Sequence, residues 1–236
     1  DGLDSLKGQV IRSLFIPEEG HTWGKSDYSQ IEYRIIAHYA QGKGAISLRE
    51  QYNYDPDTDF HKYIQDNTGF DRRTAKRLNF GGAYGMGIPS AAQLFGWTME
   101  EAEMFMNTYH NTAPYIKETR NSVSRVAKQR GHIFTLLGRK ARTHPSRKLH
   151  SMFNRLIQGS AADLFKKGMA DAYNAGVFNV LIPHMFVHDE VDVSIPPTIE
   201  GQEALEELEY IMENAIKLDV PVKVDTHTGA NWAEAD

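Results

Sequence analysis

Residues 22–34 read Thr-Trp-Gly-Lys-Ser-Asp-Tyr-Ser-Gln-Ile-Glu-Tyr-Arg, and the local fold can be read from them directly. Thr22 to Tyr28 follows a Glu-Gly turn and has the residue types of a strand. Ser29-Gln30-Ile31-Glu32 is a capping box, and Ile31, Ile35, Ile36 and Tyr39 recur at helical spacing, which predicts a helix from Gln30 to about Gln41. Asp27 therefore lies at the end of a strand, immediately before a helix.

Working outward, Gln9 to Ile16 reads as a strand ending at Pro17, forming a hairpin with Thr22 to Tyr28. Gly42 to Asp57 is loop-like. Helices are expected from Asp59 to about Asn67, from Arg72 to Phe80 ending in the Gly81-Gly82 or Gly85 region, briefly at Pro89, from Met99 to His110, and from Pro114 to Arg130 with Gly131 as the stop. His132 to Leu137 alternates like a strand, and Lys148 to Ala175 has helical periodicity interrupted near Gly159. Val180 to Phe186 and Val191 to Ile195 flank His188-Asp189-Glu190, the pattern of a β-hairpin with acids at its turn. Gln202 to Leu218 is an acidic amphipathic helix, and Val220 to Val224 a last short strand.

The 236 residues allow one large domain or two modest ones, and 41% apolar with 24% charged residues is an ordinary globular balance. There is no cysteine, so a disulfide scaffold, a thiolate metal site and a cysteine nucleophile are excluded. No apolar run approaches the roughly 18 residues of a membrane span, and Asp1-Gly2-Leu3 does not open like a signal peptide. The expectation is a soluble, intracellular protein. The net charge of −5 argues against a polyanionic partner, but that average hides a segregation: Lys117 to Lys148 holds ten bases against one acid, whereas Asp189 to Asp236 holds thirteen acids against two bases. Two solvated helix faces would account for this equally well.

Two constellations carry chemistry. Asp27 at a strand end, with Asp189 and Glu190 at a distant strand turn, offers carboxylates on rigid backbone. Phosphoryl transfer with two metal ions needs such groups converging on hard cations roughly 4 Å apart. An ordinary hairpin turn and a residue before a helix cap are the plainer readings. Arg72, Lys76, Phe80 and Tyr84 are spaced by four, so each is displaced by only about 40° around a helix and the set spans roughly 18 Å. Two cations followed by two aromatics suit a nucleoside triphosphate, with phosphates at the cationic end and sugar and base on the rings. A basic helix with core aromatics is the alternative.

Asp27-Tyr28-Ser29-Gln30-Ile31-Glu32-Tyr33-Arg34 resembles motif A of the DNA polymerase I family, or family A. Arg72 through Gly85 resembles its motif B, and Val187-His188-Asp189-Glu190-Val191 its motif C, in the family order. Leu137-Gly138-Arg139-Lys140, Asn154 through Asp163 and the ending Leu218 through Trp232 agree. The resemblance implies an α+β right-hand polymerase palm, an antiparallel sheet with helices, carrying mostly helical fingers as an insertion. It divides the chain into palm with motif A at 1–41, fingers with motif B at 42–145, and palm with motif C at 146–236.

The same resemblance implies a DNA-directed DNA polymerase that adds deoxynucleotides to a primer 3′-hydroxyl and releases pyrophosphate, using two Mg2+ ions held by Asp27, Asp189 and the Tyr28 carbonyl. Glu190 would be a helper near the metals, and Lys76 the proton donor to pyrophosphate. Arg72, Lys76 and His188 would meet the nucleotide, Phe80 its sugar, and Tyr84 the templating position. Glu32 would be the steric gate against a 2′-hydroxyl, and Phe80 in place of Tyr implies poor use of dideoxynucleotides. Asn154 and Gln158 match the family's minor-groove readers, which sense pairing without selecting sequence, and Arg139 with the basic window would lie on DNA phosphates. Primer-template DNA and deoxynucleoside triphosphates are the implied partners, in the cytoplasm of a bacterium or a phage-infected host.

Several departures accompany it. Relatives carry a thumb and more palm before motif A, and often an exonuclease, so neither thumb nor proofreading is expected within this chain and a second polypeptide supplying the thumb is an implied partner. The short connection from His61 to Arg72 points to a phage-like branch, Tyr33 replaces a usual Leu, and His150 stands where Arg is common. Two other functions compete: a nucleotide- and DNA-binding module inactive without its partner chain, and a single-subunit RNA polymerase, against which Glu32, Phe80 and Glu190 speak.

Overall fold

A computed structural model describes residues 6–144, 149 and 151–235, with backbone alone at residue 80. His150, Arg147 and Lys148 of the sequence reading, and the proposed boundary at 145, lie outside the described residues. The order of elements is α1 (Leu6–Arg12), β1 (Thr22–Tyr28), α2 (Ile31–Tyr39), α3 (Ala45–Tyr54), α4 (Phe60–Thr68), α5 (Arg72–Ala83), α6 (Ile88–Phe95), α7 (Met99–Thr112), α8 (Pro114–Arg130), β2 (His132–Phe134), β3 (Lys140–Arg142), α9 (Ser151–Ala175), β4 (Ile182–Val187), β5 (Glu190–Ile195), α10 (Ile199–Asn214) and β6 (Val224–Gly229). The fold is α+β, with an antiparallel sheet and helices. Among the described residues no helix is long and apolar enough to cross a membrane.

The chain forms two compact units. The first comprises Asp1–Ile31, Ala161–Lys217 and Val222–Asp236. Its sheet has the order β4-β5-β1-β6, with all three pairings antiparallel. Directly opposed residues of antiparallel strands share a face, so Trp23, Lys25 and Asp27 lie on one face of β1 and Gly24, Ser26 and Tyr28 on the other. The second face is packed by helices. Tyr28 is buried with its hydroxyl donating to the Met212 carbonyl on α10, and its ring meets Phe165 of α9 edge-on. Leu205, Leu208 and Met212 bury the apolar stripe of α10, whose N-cap Thr198 accepts from Gly201 N–H.

The second unit comprises Glu32–Ser160 and Leu218–Pro221. One core cluster joins Leu78 of α5, Ala91 and Ala92 of α6, and Ala102 and Met106 of α7, with Phe70, Phe95 and Trp97 packed against it. Arg34 is fully buried; its guanidinium donates to the Pro56 and Pro221 carbonyls and lies over the Tyr52 ring. Helix α8 ends, as its sequence predicts, at Gly131, which takes φ +71°.

Four local expectations need correction. Gln9 to Ile16 is no strand: Leu6–Arg12 is helical, and both edges of β1 are taken by β5 and β6, leaving no place for a hairpin partner. Gly42 to Asp57 contains α3, because Ala45, Leu48 and Tyr52 bury one side of a helix. Helix α9 runs unbroken through Gly159, where the missing Cβ leaves room for Thr135 and Arg139 of the β2–β3 hairpin. The last strand is β6, not Val220 to Val224; Val220 and Val222 are apolar and buried, yet pairing to β1 starts only at Val224.

Candidate active site

In the first unit, the hairpin expected around motif C forms as β4 and β5, with His188 and Asp189 at the turn and His188 at φ +59°. The Tyr28 N–H donates to the Asp189 carbonyl at 3.4 Å, and Asp27 stands directly opposite Glu190. Two carboxylates more than 160 positions apart are thereby brought to the same end of two paired strands. Asp225 of β6 flanks Asp27 on its other side, so Glu190, Asp27 and Asp225 form one row across three strands. Burial raises the Asp27 carboxyl above its usual range; Glu190 and Asp225 add to the rise, while Lys25 and His227 oppose it.

Glu190 is held by residues that sequence reasoning passed over. The Trp232 indole N–H donates to its Oε1 at 2.9 Å, and the Lys25 ammonium lies 3.7 Å from its Oε2. Beneath it, Asp192 is fully buried and accepts from the Trp23 indole at 2.9 Å. Burial first, and the charge of Glu190 second, push the Asp192 carboxyl up to about 7. A cation near the end of β1 would relieve this concentration of acid. Among the described residues no three His, Asp or Glu side chains converge as an ion cage. Magnesium does not require one, since it is commonly bound by one or two carboxylates, water and substrate phosphates. Asp27, Asp189 and the Tyr28 carbonyl, all hard oxygens, fit it.

In the second unit, α5 carries Arg72, Lys76 and Phe80, and Tyr84 follows its last residue. Arg72 is exposed and pairs with Asp59 at 2.7 Å. Asp59 also caps α4, accepting the His61 and Lys62 N–H groups. Burial pushes the Asp59 carboxyl up, but those backbone donors together with Arg72 outweigh it and hold it below the usual value. His61 is buried beside this cationic end, its Nδ1 2.9 Å from Asn79 Nδ2. Burial, with help from Lys76 and Arg72, lowers His61 to about 4, so the imidazole is neutral. The Asp59-Phe60-His61 cap just before the cationic helix was the signal that could have added His61 to the candidates.

Glu32, Tyr84 and Gln158 come together. The Tyr84 hydroxyl donates to Glu32 Oε2 and accepts from Gln158. Burial and the Glu32 charge raise the phenol well above its usual value, so it remains a donor. Glycine at 82 is dictated by packing, because a Cβ there would stand 2.3 Å from the Tyr109 ring. Asn154 is half-buried, one turn before Gln158, and its Oδ1 has no partner among the described residues. Arg139 is braced by donating to the Gly159 carbonyl at 2.7 Å.

Comparison with known proteins gives a consistent picture. The family model described as DNA polymerase family A matches residues 3–234. The chain is 30% identical to the DNA-directed DNA polymerase of Pseudomonas phage M6, over 95% of this chain and 40% of that protein. It is 34% identical to DNA polymerase I of Geobacillus stearothermophilus, over 97% of this chain and 28% of that protein. The POL domain of Pol1 from M. smegmatis, solved in complex with DNA primer-template and dNTP, superposes with a TM-score of 0.86 at 30% identity, covering 98% of this chain and 44% of that one. The chain thus spans less than half the length of each of these relatives.

Proposed function

The chain belongs to DNA polymerase family A, and on that footing we propose that it is the palm and fingers of a template-directed DNA polymerase, the palm at 1–41 and 146–236 and the fingers at 42–145. The observation that carries this reading is the β1–β5 pairing, which sets Asp27 and Asp189 on adjoining backbone at one sheet end. In this reading Asp27, Asp189 and the Tyr28 carbonyl hold two Mg2+ ions. When bound, these lower the pKa of the primer 3′-hydroxyl and neutralise the departing pyrophosphate.

The protein's own groups do the rest. Arg72 and Lys76 receive the triphosphate, with His188 at the turn beside Asp189, and Lys76 delivers a proton to the leaving pyrophosphate. Asp59 orients Arg72, and neutral His61 adds a polar group without like-charge repulsion. Phe80 packs on the sugar. Tyr84 fixes the Glu32 carboxylate, and a fixed carboxylate near the 2′ carbon excludes a hydroxyl better than a swinging one. Asn154 and Gln158 present amides to the minor groove, and Arg139 lies on backbone phosphate.

Asp189→Ala should abolish primer extension while leaving the thermal unfolding midpoint within a few degrees; retained extension would sink the assignment.

A further inference from the structure

Glu190 faces Asp27 directly across the β1–β5 ladder, yet it does not join a three-group cage among the described residues. The reason is visible in its partners. Oε1 accepts the Trp232 indole N–H at 2.9 Å, and Oε2 faces the Lys25 ammonium at 3.7 Å, with only 16% of the Glu190 side chain and 11% of the Lys25 side chain exposed. Both carboxylate oxygens are turned toward protein donors. Trp232 is itself fixed: its backbone N–H donates to the Phe15 carbonyl, its ring meets Phe15 edge-on at 5.5 Å, and the Arg12 guanidinium lies 5.0 Å from its centroid. A residue near the end of the chain is thus locked to the segment before β1, with its one polar atom spent on Glu190.

We propose that Trp232, seconded by Lys25, is a positioning residue that withholds Glu190 from the metal ions, keeping it a fixed neighbouring charge instead of a ligand. The inference rests on the reading that Asp27 and Asp189 hold divalent cations. A third inner carboxylate would bind an ion more tightly, because affinity for hard cations rises with ligand charge. It would also replace coordination positions that nucleotide phosphates have to fill. The clamp therefore trades affinity for an open coordination sphere.

The test is Mn2+ binding to the 236-residue chain, followed by the electron paramagnetic resonance signal of free Mn2+, with circular dichroism to check folding. Trp232→Phe keeps an aromatic ring beside Phe15 and removes the N–H. It should tighten Mn2+ binding by about tenfold, and adding Glu190→Gln to it should abolish that gain. Glu190→Gln alone should weaken binding only through the loss of a nearby charge, and by less than Asp27→Asn does. Unchanged or weaker binding in Trp232→Phe, or a gain that survives the double substitution, overturns the proposal. Should Trp232→Phe fail to fold, Glu190→Gln alone decides: a loss as large as that of Asp27→Asn means that Glu190 is already a ligand and overturns the proposal. Mn2+ binding that is indifferent to Asp27→Asn overturns the metal reading itself, and the clamp with it.

Discussion

The Tyr84–Glu32 contact shows how much a single hydrogen bond is asked to do. Glu32 sits in the first turn of α2, where its carboxylate suits the helix dipole, and the phenol of Tyr84 holds Oε2 in place. Tyr84→Phe keeps the ring and frees the carboxylate. Preference for deoxy- over ribonucleotides should fall by about tenfold, the equivalent of one charge-assisted hydrogen bond of about 1.5 kcal/mol, read from competing single-nucleotide incorporations. Asp192 makes a different residue-level prediction. Its carboxyl is pushed from 3.8 to about 7, by burial first and Glu190 second. Below pH 4 both states hold the proton. Between pH 4 and 7 the unfolded chain releases its proton first, so stability falls as pH rises, and above 7 the loss is complete. Asp192→Asn keeps the acceptor for Trp23 and stays neutral. In urea unfolding it should gain on the parent at pH 8 relative to pH 4, and an equal difference at both would refute the shift.

At the level of elements, α5 is positioned by what its neighbours cannot tolerate. Helix α7 lays Tyr109 against Gly82, and Tyr109 is fully buried with its hydroxyl reaching the Asn79 carbonyl. Gly82→Ala places a methyl where the ring stands. The usual preference for Ala in a helix, about 1 kcal/mol, should be outweighed by an overpacking cost of about 1–3 kcal/mol, measured as a lower urea midpoint at unchanged slope. Most helices were legible because periodicity and caps agree locally: α8 follows its pattern to the residue, from Pro114 to Arg130 with Gly131 as its cap. The strand at Gln9 to Ile16 failed because a short apolar run does not say whether a sheet edge is available. Both edges of β1 were claimed by segments more than 160 residues downstream.

For the whole molecule the division of charge matters more than its sum of −5. The basic run from Lys117 lies in the unit containing α8 and β3, and the acidic stretch after Asp189 lies mostly in the other. Binding of a labelled primer-template should be modest and fall steeply between about 50 and 200 mM salt, as counterion release requires; a flat salt response in fluorescence anisotropy would contradict contact by the basic run. By itself the sequence determined the family and the α+β class, because motifs, caps and helical periodicity are short-range patterns carried by residue type. It also named Asp27, Asp189, Arg72 and Lys76 as the groups to test. Only the tertiary structure decided that Asp225 joins the row beside Asp27, that Asp59 and His61 stand at the cationic end of α5, and that Trp232 and Lys25 hold Glu190. Those relations depend on strand register and on burial across distant segments. Both are set by which surfaces pack together, and no local pattern encodes that choice.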